Sequence, residues 1–268
     1  MGDGYLIRHI RELWMRSEYE VQSGAFLTPA EQRLIYDSIP EARHSLVFWG
    51  GAPDAERRCA FFIPDWLRDS VGENTASPFS EAHDAYSAAL GEADAFGDAI
   101  RALRIVPGGF TALSHRDYLG AIMNLGIERE TVGDISVGGD GATVFCLPTA
   151  ASLIEAELKK IGREGVKIRG AADAEKKIGR RYETSTVVVS SMRIDCVVKA
   201  LANLSREGAQ QAIRSGLVEV NYLPCTDVSE TLAEGDTLSV RGCGKFRVGE
   251  TGGETRRERI RLKIQRYV

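Results

Sequence analysis

The chain has 268 residues, 43% of them apolar and 27% charged, and a formal net charge of −4. That length exceeds one small module and implies two or three domains with full cores, while no apolar run is long enough to span a bilayer as a helix. Five widely spaced cysteines, none in a Cys-x-x-Cys pair, argue against a disulfide framework or a metal cluster. With no basic-then-apolar leader at the start, the expectation is a cytoplasmic protein with reduced thiols.

Leu6, Ile10, Leu13 and Trp14 recur at helical spacing and predict an amphipathic helix within residues 3–22. Thr28-Pro29 followed by Glu31 predicts a second helix with Thr28 as N-cap, ending before Pro40. The apolar runs Ser45–Trp49 and Cys59–Ile63 flank a loop containing Gly and Pro and predict a strand pair. Residues 70–98 are rich in Ala, Ser, Glu and Asp and poor in large apolar side chains, which predicts a linker or a loosely packed helix. The expected organisation is thus an N-terminal α+β domain over residues 1–75 and a linker or insertion over 76–98.

A second unit begins near Ala99. Ala102–Val106 reads as a strand, and Ser114–Leu125 as a helix begun by Ser114. Ile135–Val137 and Thr143–Leu147 read as strands joined through Gly138-Gly139-Asp140-Gly141. Thr149–Ile161 reads as a helix capped by Thr149, and Val166–Arg169 as a last strand. The order β-α-β-β-α-β predicts a four-stranded antiparallel sheet with two helices on one face, an RRM-like domain over residues 99–172. That layout serves many functions, and the central strands carry no exposed aromatic pair on which bases would stack.

His115-Arg116-Asp117 resembles a kinase catalytic loop only locally, because Ile122 stands where the asparagine belongs. His115 and Arg116 read as the polar start of a helix and as a candidate second RNA contact. Gly138–Gly141 lacks the lysine and the serine or threonine of a phosphate-binding loop and reads as a hairpin turn. A charged connector over residues 173–185 follows, with Lys176, Lys177, Arg180 and Arg181.

The C-terminal module, residues 186–268, opens with Ile194, Val197, Val198 and Leu201 at i, i+3, i+4 and i+7, one buried helical stripe. Ser205 is suited to cap a second helix and Gly216 to end it. Ala209, Ala212 and Ile213 face inward, while Arg206, Gln210 and Arg214 line the outer face. That outer stripe is either a solvated face or a row whose arginines engage phosphates while Gln210 donates to sugar or base edges. Asp195, beside Arg193, either orients a neighbouring arginine or caps the first helix. Thr237–Arg241 and Arg259–Tyr267 read as strands. In the last, Ile260, Leu262 and Ile264 alternate with Arg259, Arg261 and Lys263, a basic face that extends an RNA surface or is simply solvated. Charge is split in the same sense. Residues 1–150 hold 12 Arg, no Lys and 22 acidic residues, a net of −10, whereas residues 151–268 hold 22 basic and 16 acidic residues, a net of +6. A polyanion is expected to meet the C-terminal part.

Met192-Arg193-Ile194-Asp195, Ser205-Arg206, Ala209, Ile213, Gly216, Val218, Val220-Asn221, Gly235-Asp236 and Val240, in this order, resemble the RNA-binding domain named after the small-subunit ribosomal protein S-four, an αL-like fold. Tyr222 follows Asn221 where that domain carries glycine, and Gly208 sits in the first turn of the second helix. Leu113-Ser114-His115-Arg116-Asp117-Tyr118-Leu119-Gly120, Arg129 and Gly133-Asp134-Ile135 resemble the bacterial YlmH family. So do Phe26-Leu27-Thr28-Pro29, Phe48-Trp49-Gly50-Gly51, Gly244-Lys245-Phe246 and Gly249-Glu250-Thr251. The resemblance is weakest at residues 65–98.

The resemblance implies an α+β chain with an N-terminal α/β region, a middle split β-α-β unit that is RRM-like, and a C-terminal module of the S-four type. It implies an RNA-binding protein of the translation apparatus, meeting rRNA or tRNA on the large ribosomal subunit in ribosome-associated quality control or rescue of stalled ribosomes. No catalytic residue, metal, cofactor or DNA partner is expected. It points to Arg193, Asp195 and Arg206 as residues that contact RNA or support the contact; Lys199, Ser205, Gln210, Arg214, Asn221 and Lys245 complete the candidate set. The rival is an RNA-modifying enzyme, a pseudouridine synthase or RNA methyltransferase, since similar modules are attached to both. Against it, the chain shows no Gly-rich cofactor loop opening a helix after a strand, and residues 1–170 show no convincing catalytic aspartate. A general RNA chaperone is the third reading.

Overall fold

The structure is a computed structural model that describes residues 3–71, 81–92, 94–109, 113–138, 140–170, 182–254 and 259–267. Residues 72–80 of the expected linker, Gly139, and Lys176, Lys177, Arg180 and Arg181 of the expected connector lie outside the described residues. Contacts divide the chain into two compact units, Met1–Gly179 and Arg180–Val268.

In the first unit, helix α1 (Asp3–Arg16) buries Leu6, Ile10 and Leu13. It stops short of the limit that the apolar spacing allows, because Gln22–Leu27 forms strand β1. Helix α2 (Pro29–Ser38) starts at a capping box: Thr28 Oγ1 accepts from the Glu31 backbone N–H, and the Glu31 carboxylate accepts from that of Thr28. Strands β2 (Leu46–Trp49) and β3 (Arg58–Phe62) pair antiparallel as expected, and β1 adds on the far side of β3. Along β3, Ala60 and Phe62 face the core under α1 and α2, while Cys59 and Phe61 face a second core on the opposite side. Burial on both faces is why this strand reads as an unbroken apolar run.

Helix α3 (Asp65–Val71) is followed by α4 (Glu81–Glu92). The expectation of a linker or loose helix is corrected here: α4 buries His83, Ser87 and Leu90. Small side chains permit close approach, and a Cβ at Gly91 would lie 3.1 Å from the Trp49 ring. Scarcity of large apolar residues marks tight packing at this place.

The split unit follows with β4 (Arg101–Pro107), α5 (His115–Met123), β5 (Val132–Gly138), β6 (Gly141–Cys146), α6 (Pro148–Glu157), β7 (Lys160–Ile161) and β8 (Glu164–Arg169). The sheet order is β5-β6-β4-β8-β7. Ser114 and Asp117 form the capping box of α5. Two expectations are corrected. Thr149 is not a cap, because Pro148 occupies the first helical position and Leu147 precedes it without a side-chain cap. The helix ends at Glu157, and Lys160–Ile161 adds a fifth strand. Leu103, Ile105, Tyr118, Ile122, Val144 and Ile154 share one core, which holds both helices on one face of the sheet.

The other face of that sheet is occupied by the N-terminal region. Ala102 and Phe145 pack with Phe26, Phe61 and Phe96. A Cβ at Gly133 would lie 2.5 Å from the Phe26 ring. The Asp134 carboxylate accepts from the backbone N–H of Glu56 at 2.5 Å, and Arg57 donates to the carbonyls of Val132 and Phe26 at 3.2 and 3.0 Å. The surface on which RRM sheets stack bases is here partly filled by protein.

The second unit comprises β9 (Tyr182–Val189), α7 (Ile194–Ala202), α8 (Arg206–Arg214), β10 (Val218–Val220), β11 (Leu223–Pro224), β12 (Thr237–Val240), β13 (Gly244–Glu254) and β14 (Ile260–Tyr267). Its sheet is antiparallel throughout, in the order β11-β10-β12-β13-β14-β9. Residues 182–185, expected in the connector, form the first half of β9, which pairs with β14 from Tyr182↔Tyr267 to Val189↔Ile260. Ile194, Val197 and Val198 of α7 and Ala209 and Ile213 of α8 are buried in one core with Leu238, Phe246, Val248, Leu262 and Ile264. Ser205 Oγ accepts from the Gly208 backbone N–H at 3.0 Å, and Gly216 ends α8 at a φ of +67°.

Candidate nucleic-acid interface

Asp195 lies in the first turn of α7 with a relative exposure of 0%. Its carboxylate accepts from Arg193 Nε at 3.1 Å, Arg193 Nη2 at 3.2 Å and Gln210 Nε2 at 3.2 Å, and Arg206 Nε stands 3.6 Å away. One buried acid therefore anchors side chains from the start of α7 and from α8. Burial alone would raise its pKa, but the hydrogen bonds from Arg193 and Gln210 outweigh it and hold the group at about 2. The Arg193 guanidinium is held charged in return.

The two arginines keep their outer sides in solvent, with side-chain exposures of 39% for Arg193 and 67% for Arg206. A guanidinium carries more donors than one carboxylate uses, so each retains N–H groups for a phosphate. The backbone around Arg193 is fixed as well, since the Ile194 N–H donates to the Glu230 carbonyl at 2.8 Å and the Leu232 N–H to that of Met192 at 2.9 Å.

A cleft of about 520 Å³ opens between the end of β9, α7 and the start of α8. Arg193, Lys199, Arg206 and Arg259 line it together with Ser190, Ser191 and Asn203, and no acidic residue does so among the described residues. Three members of the expected set thus come together. In the sequence Arg259 reads only as part of a basic strand. The β9–β14 pairing delivers it to the mouth of α7, a long-range register that local periodicity does not encode.

The other expected site residues make contacts within the fold or lie away from the cleft. Asp195 has no exposed surface and is held by Arg193 and Gln210. Gln210 spends an amide N–H on Asp195. The Ser205 hydroxyl caps α8. Asn221 is used within the fold: its Oδ1 accepts from the Thr237 N–H at 2.9 Å, and its Nδ2 donates to Asp236 Oδ1 at 2.8 Å. Arg214 is exposed in the last turn of α8 and does not line the cleft. Lys245 sits on β13 with Nζ 4.4 Å from the centre of the Tyr222 ring and 4.8 Å from that of Tyr267. His115 and Arg116 are exposed at the start of α5, in the first unit. The described residues include no cluster of metal-ligating side chains and no helix long and apolar enough to cross a membrane.

Residues 192–238 match the S4 domain, and residues 94–175 match the family described as "Putative RNA-binding domain in YlmH". "Ribosome-associated protein quality control protein P2" of Bacillus subtilis (strain 168) is 26% identical over 253 residues, covering 94% of this chain and 90% of that protein. The chain is similar to YlmH through these two domains. The solved structure "Cell division protein ylmH from Streptococcus pneumoniae" is 22% identical, covers 63% of this chain and 86% of its own, and has a TM-score of 0.40. The S4 match holds Arg193, Lys199 and Arg206, whereas β9, β13, β14 and Arg259 lie outside it.

Proposed function

We propose that this chain is a non-catalytic RNA-binding protein of the translation apparatus. It grips rRNA or tRNA on the large ribosomal subunit through the cleft of its second unit, and it acts in the cytoplasm in ribosome-associated quality control or rescue of stalled ribosomes. The observation that carries the reading is the cleft itself: four cations line it, and a buried carboxylate fixes two of them. Arginines held in place before binding lose less freedom when a phosphate arrives. The relative whose name includes ribosome-associated quality control supports the ribosomal setting. Asp195 itself is poorly suited to general-base chemistry, since a carboxylate held at about 2 and saturated with donors is a weak base near neutrality.

Ribosome co-sedimentation of the full-length protein tests the binding. Arg206→Ala is expected to weaken it by about 1–3 kcal/mol, the range of a charge-assisted contact. Unchanged co-sedimentation at moderate salt counts against the cleft. Incubation with tRNA and rRNA, with and without a methyl donor, followed by nucleoside analysis, tests the enzyme alternative. A reproducible modified base would replace this reading with a pseudouridine synthase or methyltransferase.

A further inference from the structure

The second unit has another basic surface, on the face of its sheet turned away from α7 and α8. Phe246, Val248, Leu262 and Ile264 point into the core. Strand alternation therefore turns Lys245, Arg247, Arg261 and Lys263 outward. Strand β9 adds Thr186 opposite Lys263 and Val188 opposite Arg261, both exposed. On the neighbouring strand β13, Gly252 pairs with Arg261, and a Cβ at Gly249 would fall 3.0 Å from the Lys263 carbonyl oxygen. Beside these two cations β13 presents Gly249 and Gly252, which keep the surface low there, with the exposed Glu250 between them at the register shift.

At one end of this face a row of three tyrosines and one lysine crosses the strands. Tyr222 comes from the β10–β11 turn, Lys245 from β13, Tyr267 from β14 and Tyr182 from β9. Lys245 Nζ lies over both the Tyr222 and Tyr267 rings, and the Tyr267 and Tyr182 rings meet edge-on with centroids 5.0 Å apart. Tyr182 is 36% exposed at the sheet edge. At the other end, Val188 and the neighbouring Arg259 also line the cleft. Cations and aromatic rings thus run in one track from the cleft along β9 and β14. The acidic residue Glu219 lies across the sheet on β10.

We infer that this sheet face is a second RNA-contact surface, a platform for single-stranded RNA whose bases stack on Tyr182 and Tyr267 and whose phosphates meet Arg261 and Lys263. The inference rests on the reading of the chain as an RNA binder and extends it to strands outside the S4 match. Single strands are favoured because stacking needs unpaired bases, and a flat sheet face does not enter the deep, narrow major groove of an RNA duplex.

Ultraviolet crosslinking of the full-length protein to oligouridylate, with peptide mapping, tests it beside affinities for oligouridylate and for a blunt-ended RNA hairpin. Crosslinks are expected within residues 182–189 or 260–267 as well as at the cleft. Tyr182→Ser and Lys263→Glu are each expected to lower oligouridylate affinity about tenfold, in the range of one lost stacking or phosphate contact, and to leave hairpin affinity unchanged. Thermal melts confirm the fold, and Arg261→Gln with Lys263→Gln at exposed positions serves if a variant is unstable. Crosslinks confined to residues 190–216, with unchanged affinity of the face variants, overturn the platform and leave the cleft intact. Equal loss for both RNAs overturns the single-strand preference. Failure of the wild-type protein to bind either RNA removes the cleft and the platform together.

Discussion

Asp195 grips Arg193 through both carboxylate oxygens, Nε to Oδ1 at 3.1 Å and Nη2 to Oδ2 at 3.2 Å, from a position with no exposed surface. The cation it holds is the group that faces solvent, so the acid is expected to act by positioning. A charged pair of this kind is costly to break from the buried side, because the remaining donors lose their acceptor.

Asp195→Asn keeps the shape and removes the charge. It is expected to lower stability by about 1–3 kcal/mol and to weaken RNA binding although the residue has no exposed surface. The slope of affinity against salt should stay nearly constant, since the arginines remain. Denaturant midpoints and RNA titrations at several salt concentrations check this, and unaltered RNA affinity would refute the positioning role.

The same group makes stability depend on pH. Its folded pKa of about 2 lies below the ordinary value of 3.8. A depressed folded pKa adds stability above the unfolded pKa, and that stability is lost as pH falls through the folded one. The wild-type protein should therefore lose stability between about pH 4 and about pH 2, and Asp195→Asn should lose less over that window. Urea midpoints of both proteins near neutrality and at about pH 3 make the comparison. Parallel losses would show that other carboxylates dominate.

Arg259→Ala tests a residue that only the tertiary structure brings to the cleft. Its removal should weaken RNA binding and reduce the magnitude of the salt slope by about 0.7–0.9, one phosphate contact's share. Lys199→Ala should do the same. A slope unchanged in both variants would place the RNA elsewhere.

The Asn221-Tyr222 turn gives a prediction about stability alone. Both residues have positive φ, +48° and +68°. Tyr222→Gly relieves a strained backbone, a gain of about 1 kcal/mol, and loses the contact with Lys245, about 0.5–1 kcal/mol at an exposed site. The two nearly cancel, and the melting temperature should move little. Asn221→Ala, by contrast, strips partners from the Thr237 N–H and Asp236 and should cost about 1–3 kcal/mol. Comparable melting temperatures for Asn221→Ala and the wild type would contradict the assignment of Asn221 to the fold.

Residue spacing and end signals were enough to read most of the helices of both units. Thr28, Ser114 and Ser205 cap helices where their side chains allow, and the Ile194–Leu201 stripe faces a core. The failures share a cause. Strand β1 and the start of β9 carry few large apolar residues, and they exist because β3 and β14 offer them a hydrogen-bonding edge. Helix α4 reads as loose for the same reason that it packs closely: its side chains are small.

The sequence by itself determined where most helices begin, the β-α-β-β-α-β core of the split unit and the module that carries the cations. Those features arise from interactions within a few residues, through caps, periodicity and turn chemistry. The tertiary structure alone decided which polar residues remain at the surface. It buried Asp195, tied Asn221 to Thr237 and Asp236, filled the middle sheet's open face around Phe26, and carried Arg259 to Arg193 and Arg206. Exposure and convergence are set by contacts between segments far apart in the chain, and no local pattern records them.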